Sequence, residues 1–292
     1  MNENPLSPSA KKFLMKMQAN ELTEHLVYTK IAKHLKDEHN KDVLEKIAQE
    51  ELKHAKIWEN LTGVKAKPNR RKASWLSLLS IILGFTFVLK KMENGEGNAA
   101  KQYSTFFAQI PEAKKIAEDE KHHETELLAM LDEERLQYVG SMVLGLSDAL
   151  VELSGTLAGL TFALQNTRLI ALSGLITGIS ATLSMASSEY LSAKNRGEAN
   201  AAKSSMYTGI AYVFTVAFMV MPYLIFSSYV VALAVMMITV VIIIMMFTYY
   251  TSVAKDLPFG KRFLEMAGIS LSVTAISFFI GILVKKFLGI QI

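Results

Sequence analysis

Polar and apolar residues alternate with a helical period through the first 138 residues, then give way to long, nearly unbroken apolar runs. One helical pattern runs from about Ala10 to Lys36, preceded by Pro8 and Ser9. A second, about 41–61, is opened by Asn40-Lys41-Asp42 and ended by Gly63, after which KAKPNRRK reads as a polar linker. A third runs from about Ser74 to Gln109, and Pro111 opens a fourth. Four long helices with one longer link, between the second and third, predict a bundle. Five apolar runs follow at about 139–164, 169–193, 206–226, 229–251 and 263–285, each long enough for a transmembrane helix. With no Gly or Pro between Pro111 and Gly140, a single helix is expected to lead from the bundle into the first span. The pattern therefore predicts an all-α chain: a four-helix bundle over residues 1–136, then a five-helix transmembrane domain over 137–292.

One stretch complicates that division. WLSLLSIILGFTFVL, residues 75–89, falls just short of the roughly 20 apolar residues a span needs. A crossing here would also put the acids after it on the far side of the membrane from those before it. It is read as the start of the third helix, with Trp75 and its neighbours packed on the bundle, on a partner subunit or on the bilayer surface.

Charge sharpens the division. All six His lie at or before His123, while residues 140–292 hold only six acids: Asp148, Glu152, Glu189, Glu198, Asp256 and Glu265. The net charge of +4 comes from basic residues interspersed with acids, without the basic, aromatic-laced patch that nucleic acid would need. There is no Cys, which excludes disulfides, zinc fingers, thiolate clusters, Cys nucleophiles and a rubredoxin-type iron centre. The N-terminal MNENPLSPSAKKF lacks the apolar core of a signal peptide, so the first half is expected in the cytoplasm. Loop charges agree. Lys194, Arg196 and Lys203 follow the second apolar run, and Lys255, Lys261 and Arg262 follow the fourth, while the other two loops hold only Arg168. The positive-inside rule puts the two basic loops in the cytoplasm and the C-terminus outside. Lys285 and Lys286 can snorkel to the outer interface.

The candidate chemistry of the first half is duplicated. Glu21 and Tyr28 in the first helix, and Glu96 and Tyr103 in the third, are each seven residues apart. Glu51 and His54 in the second helix, and Glu120 and His123 in the fourth, each form Glu-x-x-His. Residues three apart share a helix face, so each Glu and His can reach one ion. With Glu93 one turn before Glu96, these side chains make a ligand set for two iron or manganese ions. His25, His34, His39 and His122 lack such pairing and are read as surface residues. At these positions the chain resembles rubrerythrin and the wider ferritin-like di-iron family, over roughly residues 10–135. The resemblance implies a ferritin-like bundle whose iron ligands are Glu21, Glu51, His54, Glu93, Glu96, Glu120 and His123. Such sites bind Fe²⁺ and can oxidise it.

The first two apolar runs carry the second candidate site. Asp148 and Glu152 lie one turn apart, as do Met185 and Glu189, and Gly155-x-x-x-Gly159 and Gly174-x-x-x-Gly178 permit close helix contact. Carboxylates are costly in lipid and by default mark an ion path, and a thioether beside them favours a softer divalent metal over magnesium or calcium. GLSDAL at 145–150 and SMASSEYLSAK at 184–194 resemble the first- and second-span motifs of the vacuolar iron transporter family, with Asp148 and Met185 matching its aspartate and methionine. Gly209-x-x-Tyr212 and MPY at 221–223 are similar to it too. There are departures. The plant members have a glutamate eight residues before that methionine, where this chain has Thr177. They also have a glutamate-rich insert where this chain has only KNRGEANAAK. The resemblance implies that the ferritin-like domain replaces the insert, with Glu152 or Glu189 covering for Thr177, in the domain order of the membrane-bound ferritins.

Together these readings predict an integral protein of the cytoplasmic membrane that exports Fe²⁺, or Mn²⁺, in exchange for protons. A homodimer is expected, with metal captured or sensed by the bundle. No nucleotide-binding motif offers another energy source. No catalytic residue is assigned, although the di-iron domain is open to ferroxidase activity. The alternative is a membrane-anchored di-iron oxidase or peroxidase, weakened by the lack of Cys. Iron storage in a closed cage fits poorly with five spans.

Overall fold

The computed structural model describes residues 7–92, 110, 112, 114–116, 118–119 and 138–288. Among them the chain is helical, without strands. It divides into two compact units, Met1–Glu133 and Glu134–Ile292.

In the first unit, α1 spans Pro8–Ala32, α2 Glu38–Thr62 and α3 Arg70–Leu83. Helix α1 starts where the Ser7 hydroxyl accepts from the Ala10 N–H (3.2 Å), with Pro8 in the first turn, where its missing N–H costs nothing. Helix α2 begins earlier than the Asn40-Lys41-Asp42 signal suggests. Asp37 is its cap, accepting from the Asn40 N–H at 2.7 Å, and Gly63 ends it in the left-handed conformation (φ 66°). The pairings His25–Ala48 and Glu21–Trp58 run in opposite directions along the two helices, so α1 and α2 are antiparallel. Leu14, Met17 and Trp58 are buried between them with Ile110 and Ile116.

The third helix differs from the expectation. It starts four residues early, capped by Asn69, and stops at Gly84. Gly84 has φ 95° and ψ 152°, a conformation open essentially to Gly alone. Helix resumes over 85–92. The break divides the apolar stretch 75–89, so neither piece is long enough to span a bilayer.

The second unit holds five helices long and apolar enough to cross a membrane: α4 Val139–Leu164, α5 Thr167–Asn195, α6 Ala201–Ile225, α7 Tyr229–Lys255 and α8 Phe259–Leu288. Helix α4 has its N-cap at Tyr138; Glu120, in the stretch expected to lead into it, lies outside the described residues. The core of the unit is built on α4, α6 and α7, around Leu150, Leu153, Leu157, Met219, Met236 and Val240. Helix α4 contacts α5, α6, α7 and α8.

Glycine sets two of these seams. A Cβ on Gly281 would stand 2.7 Å from the carbonyl oxygen of Gly159, so α4 and α8 meet backbone to backbone. A Cβ on Gly178 would stand 2.4 Å from the Val216 side chain, which brings α5 close to α6. Hydroxyls tie α4 to α6 and to α8. Thr161 donates to the Leu157 carbonyl (2.6 Å), so the Tyr223 hydroxyl, 2.8 Å away, is the donor between that pair. By the same reasoning Ser154 donates to Thr274 at 2.7 Å. We expect Gly281→Ala to destabilise the protein by roughly 1–3 kcal/mol, as overpacking does. Gly268→Ala, where an added Cβ meets nothing within 4 Å, should not. Thermal unfolding in detergent compares the two, and equal midpoints would contradict the seam.

Candidate metal centre and transmembrane carboxylates

Glu21 on α1 and Glu51 and His54 on α2 converge. One ligand atom from each lies within 4.8 Å of the others, and all three residues are buried. The spacing explains the convergence. Glu51 and His54 are one turn apart on the face that α2 turns to α1, and antiparallel pairing brings Glu21 opposite them. Nδ1 of His54 is 3.7 Å from Glu51 Oε2, and Nε2 is 3.6 Å from Asp119 Oδ2. The indole N–H of Trp58 donates to Glu21 Oε1 at 3.1 Å. Two carboxylates and an imidazole are a donor set suited to iron, manganese or zinc, and the residues fit such an ion. The other predicted ligands, Glu93, Glu96, Glu120 and His123, lie outside the described residues, as do Tyr103 and His122. Tyr28 is buried. His25 is half-buried, not at the surface: its Nδ1 donates to the Ala48 carbonyl at 2.6 Å and pins α1 to α2. His34 and His39 are exposed.

Sequence spacing alone missed two neighbours here, Trp58 and Asp119. Trp58 lies four residues after His54 and seven after Glu51, the same helix face, so helical spacing could have found it. Nothing in the spacing marks Asp119.

In the second unit, the four predicted path residues separate into two places. Asp148 and Glu152 share a face of α4, and Tyr212 of α6 faces both. Its hydroxyl donates to Glu152 Oε2 at 3.0 Å and also reaches the Asp148 carboxylate. Asp148 is half-buried and Glu152 exposed on this single chain. Glu189 is elsewhere. It is 2 % exposed, and its Oε1 accepts from the Ser141 hydroxyl at 2.7 Å and from Arg196 Nη2 at 2.9 Å. Ser141 precedes Asp148 by seven residues, about two helical turns or roughly 10 Å. Glu189 therefore sits toward the α4 N-terminus, not beside Asp148. Met185 packs half-buried against the apolar core, and Thr177 is half-buried.

Arg196 links the buried carboxylate to the α5–α6 turn. Its Nε donates to Glu198 Oε1 (2.7 Å) and its Nη1 to Ser192 Oγ (2.6 Å). Glu198 accepts from Ser204 as well, at 2.7 Å. The Ser204 hydroxyl, and then Arg196, hold the Glu198 carboxyl below its ordinary range. Neither Ser141 nor Arg196 stands out in the sequence as a partner of Glu189. Tyr212, the partner of Glu152, is visible in the sequence only as part of the Gly209-x-x-Tyr212 pattern.

The two units match two families. Residues 12–131 match the Rubrerythrin family and residues 139–203 the VIT family. The chain is a rubrerythrin-type, ferritin-like domain fused to a VIT-family membrane domain. No curated protein and no solved structure matches it. With its five spans, this fusion protein is an integral membrane protein. The VIT match points to metal transport across the membrane, and the rubrerythrin match, with the Glu21–Glu51–His54 cluster, to a di-metal site.

Two substitutions test the cluster. His54→Ala should remove most of the metal bound by the ferritin-like domain. Trp58→Phe keeps the buried bulk but removes the donor to Glu21, and should weaken metal affinity roughly tenfold or more, as loss of an outer-shell partner does. Elemental analysis and metal titration measure both; unchanged affinity in both variants would mean that these side chains hold no ion.

Proposed function

We propose that the protein exports Fe²⁺, or Mn²⁺, from the cytoplasm by proton antiport, with metal captured or sensed by a cytoplasmic domain over residues 1–136 and carried by residues 137–292. The observation that carries this reading is the Asp148–Glu152 pair facing Tyr212 inside the part of the chain that matches the VIT family. A carboxylate near mid-membrane costs at least about 2.5–3.5 kcal/mol, so a purely structural helix would be more stable without it.

The chemistry follows from charge. Two neighbouring carboxylates in a low-dielectric span are neutralised either by protons or by a divalent cation. Occupancy by one excludes the other, which is what exchange requires. Tyr212 donates to Glu152 and orients that carboxylate toward α6. Moving a divalent ion against 100 mV costs roughly 4–5 kcal/mol. An inward proton gradient can supply this, and the chain has no nucleotide-binding motif that would. In this reading Met185 adds a soft donor to the path, and Glu189 serves its inner end. There Arg196 is the resident cation, which an arriving metal must displace.

The direction rests on the loop charges, which favour a cytoplasmic ferritin-like domain in the cytoplasmic membrane. The homodimer rests on Glu152. It is exposed on this chain although it lies within an apolar span, and a second copy covering that face of α4 would take it out of lipid. In the ferritin-like domain, Glu21, Glu51 and His54 would hold iron, and Glu93, Glu96, Glu120 and His123 would complete a di-iron site. Bound iron would give that domain its redox chemistry. The buried cluster also supports the second reading, a membrane-anchored di-iron oxidase or peroxidase, but that reading leaves Asp148 and Glu152 without a role.

Asp148→Asn keeps the side chain's shape and removes its charge. It should abolish metal flux and the coupled proton flux in proteoliposomes while leaving metal in the ferritin-like domain; normal flux would move the enzymatic reading ahead. Orientation is checked separately on this Cys-free chain. An impermeant thiol reagent applied to whole cells should label Arg168→Cys and spare Lys261→Cys, and the reverse pattern would invert the direction of transport.

A further inference from the structure

We propose that α3 is an interfacial helix whose outer face, Trp75, Leu78, Ile81 and Ile82, lies in an anionic lipid surface. The helix has two apolar sides, one buried and one exposed. Ala73, Leu76 and Ser77 are buried, at i, i+3 and i+4. On the opposite side Trp75 is 59 % exposed, Leu78 48 %, Ile81 50 % and Ile82 60 %. Residues 75, 78 and 82 follow the i, i+3, i+7 spacing of one stripe. Four large apolar side chains in two turns of an otherwise polar unit are a binding face, not scattered surface residues.

Charge identifies what covers it. Lys65, Lys67, Arg70, Arg71 and Lys72 lie immediately before the stripe, all exposed, with no acid among them. Arg71 is four residues before Trp75, on the same side of α3. A basic cluster, then Trp, then Leu and Ile is the order of an amphipathic helix lying in a membrane interface. The cations meet lipid phosphates, the indole sits at headgroup level, and the aliphatic residues enter the acyl boundary. A second copy of the chain would bring a second cluster of the same five cations against the first, which argues against a symmetric protein contact here. The five spans keep a bilayer within reach at all times, so even a weak interfacial affinity acts at high effective concentration. The Gly84 break stops the helix where the stripe ends and sends residues 85–92, mostly buried, on a new path. The proposal rests on the protein's being membrane-integral. It does not depend on the metal, the direction of transport or the coupling ion.

The absence of Cys makes a direct test possible on the full chain. A nitroxide is placed at Leu78→Cys, and at Lys46→Cys on the exposed side of α2 as a control. Each protein is reconstituted into vesicles of phosphatidylcholine with phosphatidylglycerol. Electron paramagnetic resonance then compares collision of the label with oxygen, which concentrates in lipid, and with a water-soluble nickel chelate. The Leu78 label should favour oxygen several-fold over the control. That preference should fall in pure phosphatidylcholine, at high salt, and when Arg70, Arg71 and Lys72 are all changed to Gln. The salt series tests the charge without relying on the triple variant's folding. A Leu78 label as nickel-accessible as the control would overturn the proposal. So would dipolar broadening between Leu78 labels, which would place a second copy on the face. An oxygen preference indifferent to lipid charge and salt would overturn the anionic surface as the partner.

Discussion

A carboxylate surrounded by apolar helices must find hydrogen-bond donors, and much of the second unit's arrangement follows from that need. The acids of α4 and α5 are met by a small set of groups: the Tyr212 hydroxyl for Glu152, and the Ser141 hydroxyl with the Arg196 guanidinium for Glu189. Each donor comes from a different helix or turn from the acid it serves, so meeting the need also fixes α6 against α4 and α4 against α5. The two places are served differently. Glu189 has a full positive charge at 2.9 Å and is closed off from solvent. The Asp148–Glu152 pair has a neutral phenol, which orients the acids without cancelling their charge. Of the two, the pair keeps the greater demand for a cation.

The first unit applies the same constraint. Glu21 is buried with Glu51, and the Trp58 indole supplies one donor. Burying acids in a bundle core costs stability unless they are met by hydrogen bonds or a metal, and a Glu, Glu, His cluster calls for the latter. Both units thus place carboxylates where they must be met by donors or by a cation.

Much of this architecture is legible in the sequence, because its signals are long. Runs of twenty or more apolar residues define α4 to α8, and the observed helices extend the expected spans by only a few residues. Helix ends were less legible. Asp37 caps α2 in place of the expected Asn40-Lys41-Asp42 start, since either could accept from a free N–H and the sequence does not say which does. The Gly84 break was hidden because a glycine in an apolar run also suits a continuous helix. Its φ of 95° leaves no mark in the apolar pattern. In the sites, the three-residue spacing of Glu51 and His54 was readable because it is local. The partners of Glu189 were not. Ser141, on another helix, lies 48 residues away, and Arg196 follows Glu189 at a seven-residue helical spacing that marks a shared face but not an ion pair.

The contact between α4 and α8 has a consequence for how the protein is made. Ser154 and Thr274 are 120 residues apart in the chain, and Gly159 waits for Gly281 over a similar distance. During synthesis α4 emerges before α8, with a serine hydroxyl and a glycine groove whose partners are made more than a hundred residues later. Until then its groove is filled by lipid, and Ser154 can only turn back on its own helix, where the Val151 carbonyl lies 3.4 Å away. The five helices therefore cannot close in the order in which they emerge from the ribosome. Helix α8 completes α4, and a chain that stops short of α8 leaves the Gly155–Gly159 edge of α4 open.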